Sequence, residues 1–501
     1  MAREDAAGAL IVEKLTGTIT QEDNAGPWKG RPGTEMTRQP DTERVAAWIF
    51  CCEGKKLFIP LWKKDIKMKV NTSKSFYKWE VVLLLWIAFF LNQADRQAFN
   101  IVLPQIQDHL GASDSTMGLI AMLFNLFYAV TVPFAGFFAD RMSRSRQIWV
   151  STLIFSTATL FTGLSGGIFS FIMFRCLGMG IGQGMFGPTY TGIIAEYHDT
   201  RTRARAMSLH QTSYYIGVIT CGFLAGWVAE KLGWQYAFYI FGGAGILFTA
   251  VLAMRLRDKP RQQAPALAVG NGGTGAGDNG GAAAGEEVKP TLFRAIAAIF
   301  KVPTAVCMLV AYIGLIFGLN GYLTWMPKYL KETFGLSLTS AGFHSMFWTH
   351  AAAFVGVLVA GALSDRMAAR PSGARNRLLL QAAGLLLASP CIVLMGMSGS
   401  FGTVCAALAG FGFFRAFFDA GTYAVLYDVI EPKYYSLSSA VLILFGFGIG
   451  SLAPWILGMI SDAFGLSGGI ASLGAVWAVA SVALLIARTA FFDKDAKKIA
   501  K

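Results

Sequence analysis

Residues 81–103, VVLLLWIAFFLNQADRQAFNIVL, constrain the fold of this chain more than any other stretch. A bilayer crossing needs about 20 apolar residues, and this run supplies them. Yet it carries Asp95 and Arg96 toward its far end. A charge at the bilayer centre costs about 2.5–3.5 kcal/mol on insertion scales. Neighbours at i and i+1 point roughly 100° apart on a helix, so the two cannot neutralise each other. Each needs a partner on another helix, or water in a cavity. One reading is a helix that lines a polar cavity, where Asp95 and Arg96 handle solute or protons. The other is an interfacial pair that snorkels to the headgroups. Gln97 to Ile106 continue the helix with few charges, which favours the cavity.

Composition agrees with a membrane setting. The 501 residues are 54% hydrophobic and 15% charged, against about 25% charged in soluble proteins. The 56 glycines suit close helix packing in lipid. A net charge of +13 reads as cationic cytoplasmic loops rather than nucleic-acid binding. Seven cysteines are present, five of them inside apolar spans, and no C-x-x-C occurs. Neither a disulfide framework nor a zinc site is indicated, and no cofactor or metal is expected. No G-x-S-x-G with partners, H-E-x-x-H or P-loop occurs, which argues against a membrane enzyme and against ATP-driven pumping.

Twelve apolar spans follow Trp79. Six lie near 79–103, 116–138, 147–165, 168–195, 207–229 and 234–254. Six more lie near 303–326, 340–363, 377–397, 401–427, 436–459 and 468–489. The expected fold is all-α and polytopic: twelve transmembrane helices in two pseudo-symmetric six-helix bundles. Residues 1–78 read as a disordered cytoplasmic tail and 79–255 as the first bundle. Residues 256–300 read as a cytoplasmic linker, with RDKPRQQAP and GNGGTGAGDNGGAAAGEE as its flexible part. Pro290 to Ile299 reads as a short amphipathic helix on the membrane. Residues 301–490 form the second bundle and 491–501 a cytoplasmic tail. Within the first tail, Met68 is an alternative start, and Cys51–Cys52 beside Lys55–Lys56 is an alternative palmitoylation site.

Lys and Arg set the orientation. Lys63–Lys78, Arg141–Arg146, Arg201–Arg205, Arg255–Lys301, Arg366–Arg377, Lys433 and Arg488–Lys501 fall on one side of twelve spans. The opposite loops hold little beyond Lys231, Lys328 and Lys331. Both termini and the linker are therefore expected in the cytoplasm.

An internal repeat supports the duplication. GFFADRMSRSR (136–146) follows the second span and GALSDRMAAR (361–370) follows the eighth, sharing G-x-x-x-D-R-M. Glycine permits close helix approach, aspartate sits at the membrane edge near a helix N-terminus or arginine, and the arginines anchor the loop.

Twelve spans in two halves with G-x-x-x-D-R-x-x-x-R between spans 2 and 3 resemble the major facilitator superfamily over Trp79 to Arg488. In that family the loop motif stabilises the outward-open state through ion pairs. The matching positions are Gly136, Asp140, Arg141, Arg144, Gly361, Asp365, Arg366 and Arg370, with Glu196 and Glu431 as partners for the arginines. Ser143 stands where the family usually has a second glycine. Asp95–Arg96 followed by Pro104-x-Ile106 is similar to the anion:cation symporters and to the spinster-like carriers. Trp325-Met-Pro-Lys-Tyr-Leu330 is nearer the anion symporters, and His210-Gln211-x-Ser213 and Gly233-Trp234-Gln235-x-Ala237-Phe238 fit either. The resemblance implies proton-coupled uptake of a small organic anion, such as a sugar acid, by alternating access in the cell membrane. It implies a monomer whose partners are solute, proton and lipid.

Several polar residues inside the spans are candidates for that work. Arg175 precedes Gly178-Met-Gly180-Ile-Gly182-Gln183-Gly184 and is expected to hold an anion, to pair with Asp95, or to make an ion pair at the outer interface. The symporters it resembles carry a glutamate seven residues after this arginine. Here that position is Gly182, and neighbouring Gln183 does not titrate, which leaves a uniporter or a sodium-linked carrier open. Arg415 and Asp419, four apart, share a helix face and either flank the cavity or simply satisfy each other. Asn320, Tyr322 and Trp325 offer hydrogen bonds and a stacking face. Tyr190, Tyr214 and Tyr215 are further candidates for the cavity or for core packing. His344 and His350, six apart, do not share a face and read as single polar contacts. The alternatives to organic-anion transport are a spinster-like lipid or amphiphile exporter and a membrane sensor without transport. A drug/proton antiporter is less favoured, because Gly217 to Gly226 contains no proline.

Overall fold

The computed structural model describes residues 74–141, 143–199, 202–258, 292–368 and 373–499. Ten helices among them are long and apolar enough to cross a membrane. Two further long helices, α1 (Lys74–Leu110) and α3 (Arg144–Gly163), lie outside that set. Between and after them run α2 (Asp114–Arg141), α4 (Ile168–Tyr197), α5 (Arg203–Leu232) and α6 (Trp234–Arg255). The second half holds α7 (Pro303–Phe334), α8 (Leu338–Ala368), α9 (Gly373–Met397) and α10 (Phe401–Val429). It closes with α11 (Tyr435–Gly450, then Leu452–Phe464) and α12 (Leu466–Ile499).

The hydropathy shortfall of α1 and α3 has one cause: both keep polar side chains inside the protein. Helix α1 buries Asn92, Gln93, Asp95, Gln97 and Asn100. In α3 the hydroxyls of Ser151, Thr152, Thr159 and Thr162 donate to carbonyls three or four residues back, at 2.9, 2.8, 2.9 and 2.7 Å. Such local bonds let hydroxyls sit in a dry interior without a distant partner.

The N-terminus of α3 is capped twice. Ser143 Oγ accepts from the Arg146 amide at 3.2 Å, and the Asp258 carboxylate accepts from the Ser145 amide at 2.8 Å. Partial burial pushes the Asp258 carboxyl up, but bonds from Ser143 and Ser145 outweigh it and hold the group below the usual carboxylate range.

The duplication is visible in the backbone. The α5–α6 and α11–α12 turns pass through Gly233 and Gly465 at φ 106° and 81°, a region closed to side-chain-bearing residues. The α1–α2 and α7–α8 turns pass through Gly111 and Gly335, also at positive φ. These four turns lie at the end of the molecule opposite the two motif loops.

Glycines of α4 seat that helix between α2 and α3. A Cβ at Gly180 would meet Phe127 at 2.9 Å, and one at Gly184 would meet Thr131 at 2.7 Å. Position 182 faces α3, where a Cβ would strike the Phe155 backbone nitrogen at 2.7 Å. Gly182 is therefore a packing position, and no longer side chain fits there.

The halves meet closely at the end away from the motif loops. Glycines on α2, α5, α8 and α11 bring backbones together there, with Gly222 against Gly342 and Gly458 against Asp114. Polar bonds between halves, described below, lie at the same end.

Some expectations shift. Helix α1 already starts at Lys74, so the expected tail does not reach residue 78, and its residues 1–73 lie outside the described set. Helix α7 continues through Pro327 to Phe334, beyond the expected end at 326. Residues 492–499 of the expected C-terminal tail are helical. In the linker, Leu292–Phe300 forms the short helix, with Ala295 and Ile299 buried and Phe293 and Phe300 exposed. Linker residues 259–291 lie outside the described set.

Candidate functional site: an arginine-lined cavity

Asp95 and Arg96 diverge, as consecutive helical residues must. Asp95 turns toward α3, fully buried, and its Oδ2 accepts from Thr159 Oγ1 at 3.1 Å. Its Oδ1 has no hydrogen-bond partner among the described residues. Arg96 turns toward α2, where Nη2 donates to Asn125 Oδ1 at 2.6 Å. Its guanidinium lies 5.2 Å from the Phe124 ring centroid and 5.0 Å from that of Tyr128. Both residues thus find partners on other helices, and no snorkelling to headgroups is needed.

Arg175 joins them from α4. It sits in a π-helical turn, Ile172–Gly178, a distortion frequent at functional sites. The side chain is 2% exposed. Nη1 donates to Met179 Sδ at 2.6 Å and Nη2 to the Arg96 carbonyl at 3.1 Å. Phe99 and Phe124 flank the guanidinium at 4.9 and 4.4 Å, a cation–π arrangement that suits arginine. Its Nε has no hydrogen-bond partner among the described residues. Asp95 and Arg175 feel each other electrostatically but do not form an ion pair, so that expected pairing is not made.

Arg96 and Arg175 border a small cavity, and Asp95 lies outside its lining. Helix α1 contributes Arg96, Gln97, Phe99 and Asn100; α2 contributes Ala121, Phe124 and Asn125; α4 contributes Arg175; α7 contributes Asn320, Leu323 and Thr324. A volume of about 20 Å³ is room for about one water in the conformation seen. Asn320 also donates to the Gly450 carbonyl at 3.3 Å, tying α7 to α11.

Not every expected residue reaches this cavity. Trp325 is wholly buried, and its indole N–H is spent on the Pro454 carbonyl at 2.9 Å. It fastens α7 to α11 and offers no stacking face to a solute. Gln183 donates to the Asn92 carbonyl at 2.9 Å and ties α4 to α1. Tyr322 bonds to the Ser345 carbonyl and, at 2.8 Å, to Thr349 Oγ1. Tyr190 stacks on His210 at 4.2 Å.

Arg415 and Asp419 form the expected pair, Nη2 to Oδ2 at 3.7 Å, near the break in α10 after Asp419. Arg415 is buried with Nε unpartnered, whereas Asp419 is exposed. Neither borders the cavity above. Tyr214 of α5 stands within electrostatic reach of both Arg96 and Arg415 and links the two arginine sites. Gln97, Asn100, Asn125 and Thr324 were not singled out from sequence. Their signal is spacing: Arg96 and Asn100 are i, i+4, and a polar row at that interval in an apolar span marks a wet face.

The loop motif is engaged in the first half. Arg144 pairs with Glu196 at 2.5 Å, as expected. In the second half the equivalent link runs from Arg377 to Asp428 at 3.3 Å. Glu431 pairs instead with its neighbour Lys433 at 2.5 Å, because the turn at Pro432 sets the two side by side. Asp365 and Arg366 are exposed and make no ion pair among the described residues. A Cβ on Gly361 would meet nothing within 4 Å, so this glycine mediates no close approach. The side chains at Gly136, Asp140 and Arg141, and residue Arg370 entirely, lie outside the described set.

The chain is similar over most of its length to transporters. It is 25% identical over 431 residues to the hexuronate transporter of Bacillus subtilis, covering 82% of this chain and 96% of that one. It is 23% identical over 414 residues to the D-galactonate transporter of Escherichia coli O6:H1, covering 81% and 94%. Among solved structures, a bacterial homologue of the human lysosomal transporter Spinster, inward-facing and occupied, aligns with TM-score 0.69 at 20% identity, covering 84% of this chain and 98% of that one. The D-xylose-proton symporter aligns with TM-score 0.64 at 14% identity, covering 82% and 97%. The family model of the Major Facilitator Superfamily matches residues 85–413, and the chain belongs to that superfamily.

Proposed function

We propose that this protein is a secondary transporter of a small organic anion of the sugar-acid type, working by alternating access and coupled to protons. One observation carries the reading. Two guanidiniums, Arg96 and Arg175, border one cavity between the halves without a carboxylate in ion-pair contact among the described residues. Leaving cations so poorly compensated in a dry interior is costly. A carboxylate solute relieves that cost, and a guanidinium fork can hold its two oxygens. The hexuronate and galactonate transporters to which the chain is similar fit this solute class.

Asp95 is the proposed coupling group, since Gly182 and Gln183 cannot carry a proton. The reading takes α1 and α3 as spans, which gives twelve in two bundles, 79–255 and 301–490, joined by the linker 256–300. Both termini then lie in the cytoplasm and the chain sits in the cell membrane. Seven of the eleven wall residues are polar or charged (Arg96, Gln97, Asn100, Asn125, Arg175, Asn320 and Thr324), which weighs against an amphiphile exporter.

Reconstitution into proteoliposomes with an imposed inward proton gradient tests this. Labelled glucuronate and galactonate should accumulate, and a protonophore should collapse the accumulation. Uptake confined to neutral sugars or lysolipids, or no dependence on the gradient, would overturn it.

A further inference from the structure

The end of the molecule away from the motif loops is held by two contacts built to one plan. On one side, Glu230 at the end of α5 caps the start of α8: Oε1 accepts from the Thr339 amide at 3.0 Å and Oε2 from its hydroxyl at 2.5 Å. On the other, Asp462 at the end of α11 caps the start of α2, accepting from the Asp114 amide at 3.0 Å and the Ser115 amide at 2.9 Å. Each carboxylate belongs to one half and each capped helix to the other.

The spacing repeats without a slip. Four residues before Glu230, a Cβ on Gly226 would strike the Leu338 carbonyl at 2.7 Å. Four before Asp462, a Cβ on Gly458 would strike the Asp114 carbonyl at 2.5 Å. Four residues earlier again, Gly222 meets Gly342 and Pro454 meets Gly118. Both targets sit four residues into the capped helix. Both acids sit just before the positive-φ glycines Gly233 and Gly465 that end their helices.

We propose that Glu230 and Asp462 are paired gating residues of the transport cycle: symmetry-related carboxylate latches that hold this end closed and release together when it opens. The proposal rests on the alternating-access reading above. The first four N–H groups of a helix lack partners and carry partial positive charge, so a carboxylate there both satisfies donors and stabilises the dipole. Neither acid has such a role inside its own half, so the bonds exist only while the halves are together. Water takes over the freed amides when the end opens, which keeps the latch weak enough to cycle.

One asymmetry is added to the plan. Asp114 stands where the other latch has Leu338, and its carboxylate receives buried Lys328 of α7 and, at 2.5 Å, Ser461 Oγ. The α2–α11 latch is therefore the stronger of the two.

The test reads distance, not transport. Spin labels on Gly166→Cys and Gly399→Cys, in the outer loops of the two halves and in a chain whose seven native cysteines are replaced, report the opening of this end. Glu230→Ala and Asp462→Ala should each raise the ratio of long to short distances about fivefold, and the pair together roughly 25-fold. Glu230→Asp should recover much of the short population. Thr339→Val, which keeps the shape of the side chain and removes one latch hydroxyl, should give a smaller shift in the same direction. Distances unchanged in Glu230→Ala, Asp462→Ala and the double variant would overturn the latch. Unchanged distances in a chain that accumulates sugar acids would sink the latch and spare the carrier reading. Shifted distances in a chain that moves no solute would do the reverse.

Discussion

Replacing Arg96 by glutamine should weaken the binding of an anionic solute by one to two orders of magnitude. Of the five guanidinium donors, the structure commits one to Asn125, and the group faces the cavity with aromatic rings behind it. A solute carboxylate held by the free donors makes a charge-assisted hydrogen-bonded contact. Such contacts contribute about 1.5–3 kcal/mol, a factor of about 10 to 150 in affinity. Arg96→Lys keeps the charge but loses the planar fork and part of the ring stacking, and should fall between the two. Counterflow with labelled glucuronate in proteoliposomes measures this without any driving gradient. The half-saturation concentration should rise in the order wild type, Arg96→Lys, Arg96→Gln, while a thermal-shift assay shows that the variants stay folded. A half-saturation concentration that does not move in Arg96→Gln would refute the assignment of this guanidinium to the solute.

Three more expectations can be checked beside it. Asp95→Asn should abolish accumulation driven by a proton gradient and leave counterflow partly intact; undiminished accumulation would remove Asp95 as the coupling group. Gly182→Glu, which would place a carboxylate where resembling symporters have one, should destabilise the protein rather than aid coupling, because even a Cβ there strikes Phe155. Overpacking of this kind costs about 1–3 kcal/mol and should appear as a lower melting temperature in detergent. Asp258→Ala should lower stability at neutral pH, with the loss fading as pH falls into the ordinary carboxylate range. The sign follows because a depressed native value contributes stability above the unfolded value and loses it as the proton goes on. A stability difference that grew on acidification would contradict it.

Much of the fold was legible because lipid imposes a simple rule on length and polarity. The ten helices long and apolar enough to cross and the short helix near 292–300 follow from hydropathy and amphipathic spacing, and the Arg144–Glu196 pair follows from the family resemblance of the loop motif. The cavity was legible in part. Asp95, Arg96 and Arg175 stand out because ionic groups are rare in apolar spans. Trp325 misled, since nothing in its neighbours says that Pro454 of a distant helix would take its N–H. Glu431 misled for a related reason: a charge at a helix end pairs with whatever the next turn brings, here Lys433. The paired carboxylate caps were invisible. Glu230 and Asp462 sit in different local sequences, and their shared spacing has meaning only once α8 and α2 are seen beneath them.

The π turn at Ile172–Gly178 makes α4 one residue longer than its straight path requires. Downstream, Gly180 and Gly184 are locked into their seats against α2, and upstream the helix is held by its own entry turn. A deletion elsewhere in this helix would rotate everything beyond it by about 100° and unseat it. Inside the turn, the same deletion would merely iron out the wrinkle. What would be lost is the bearing of Arg175, so this segment is where a lineage could redirect a guanidinium within the cavity while the scaffold stays put.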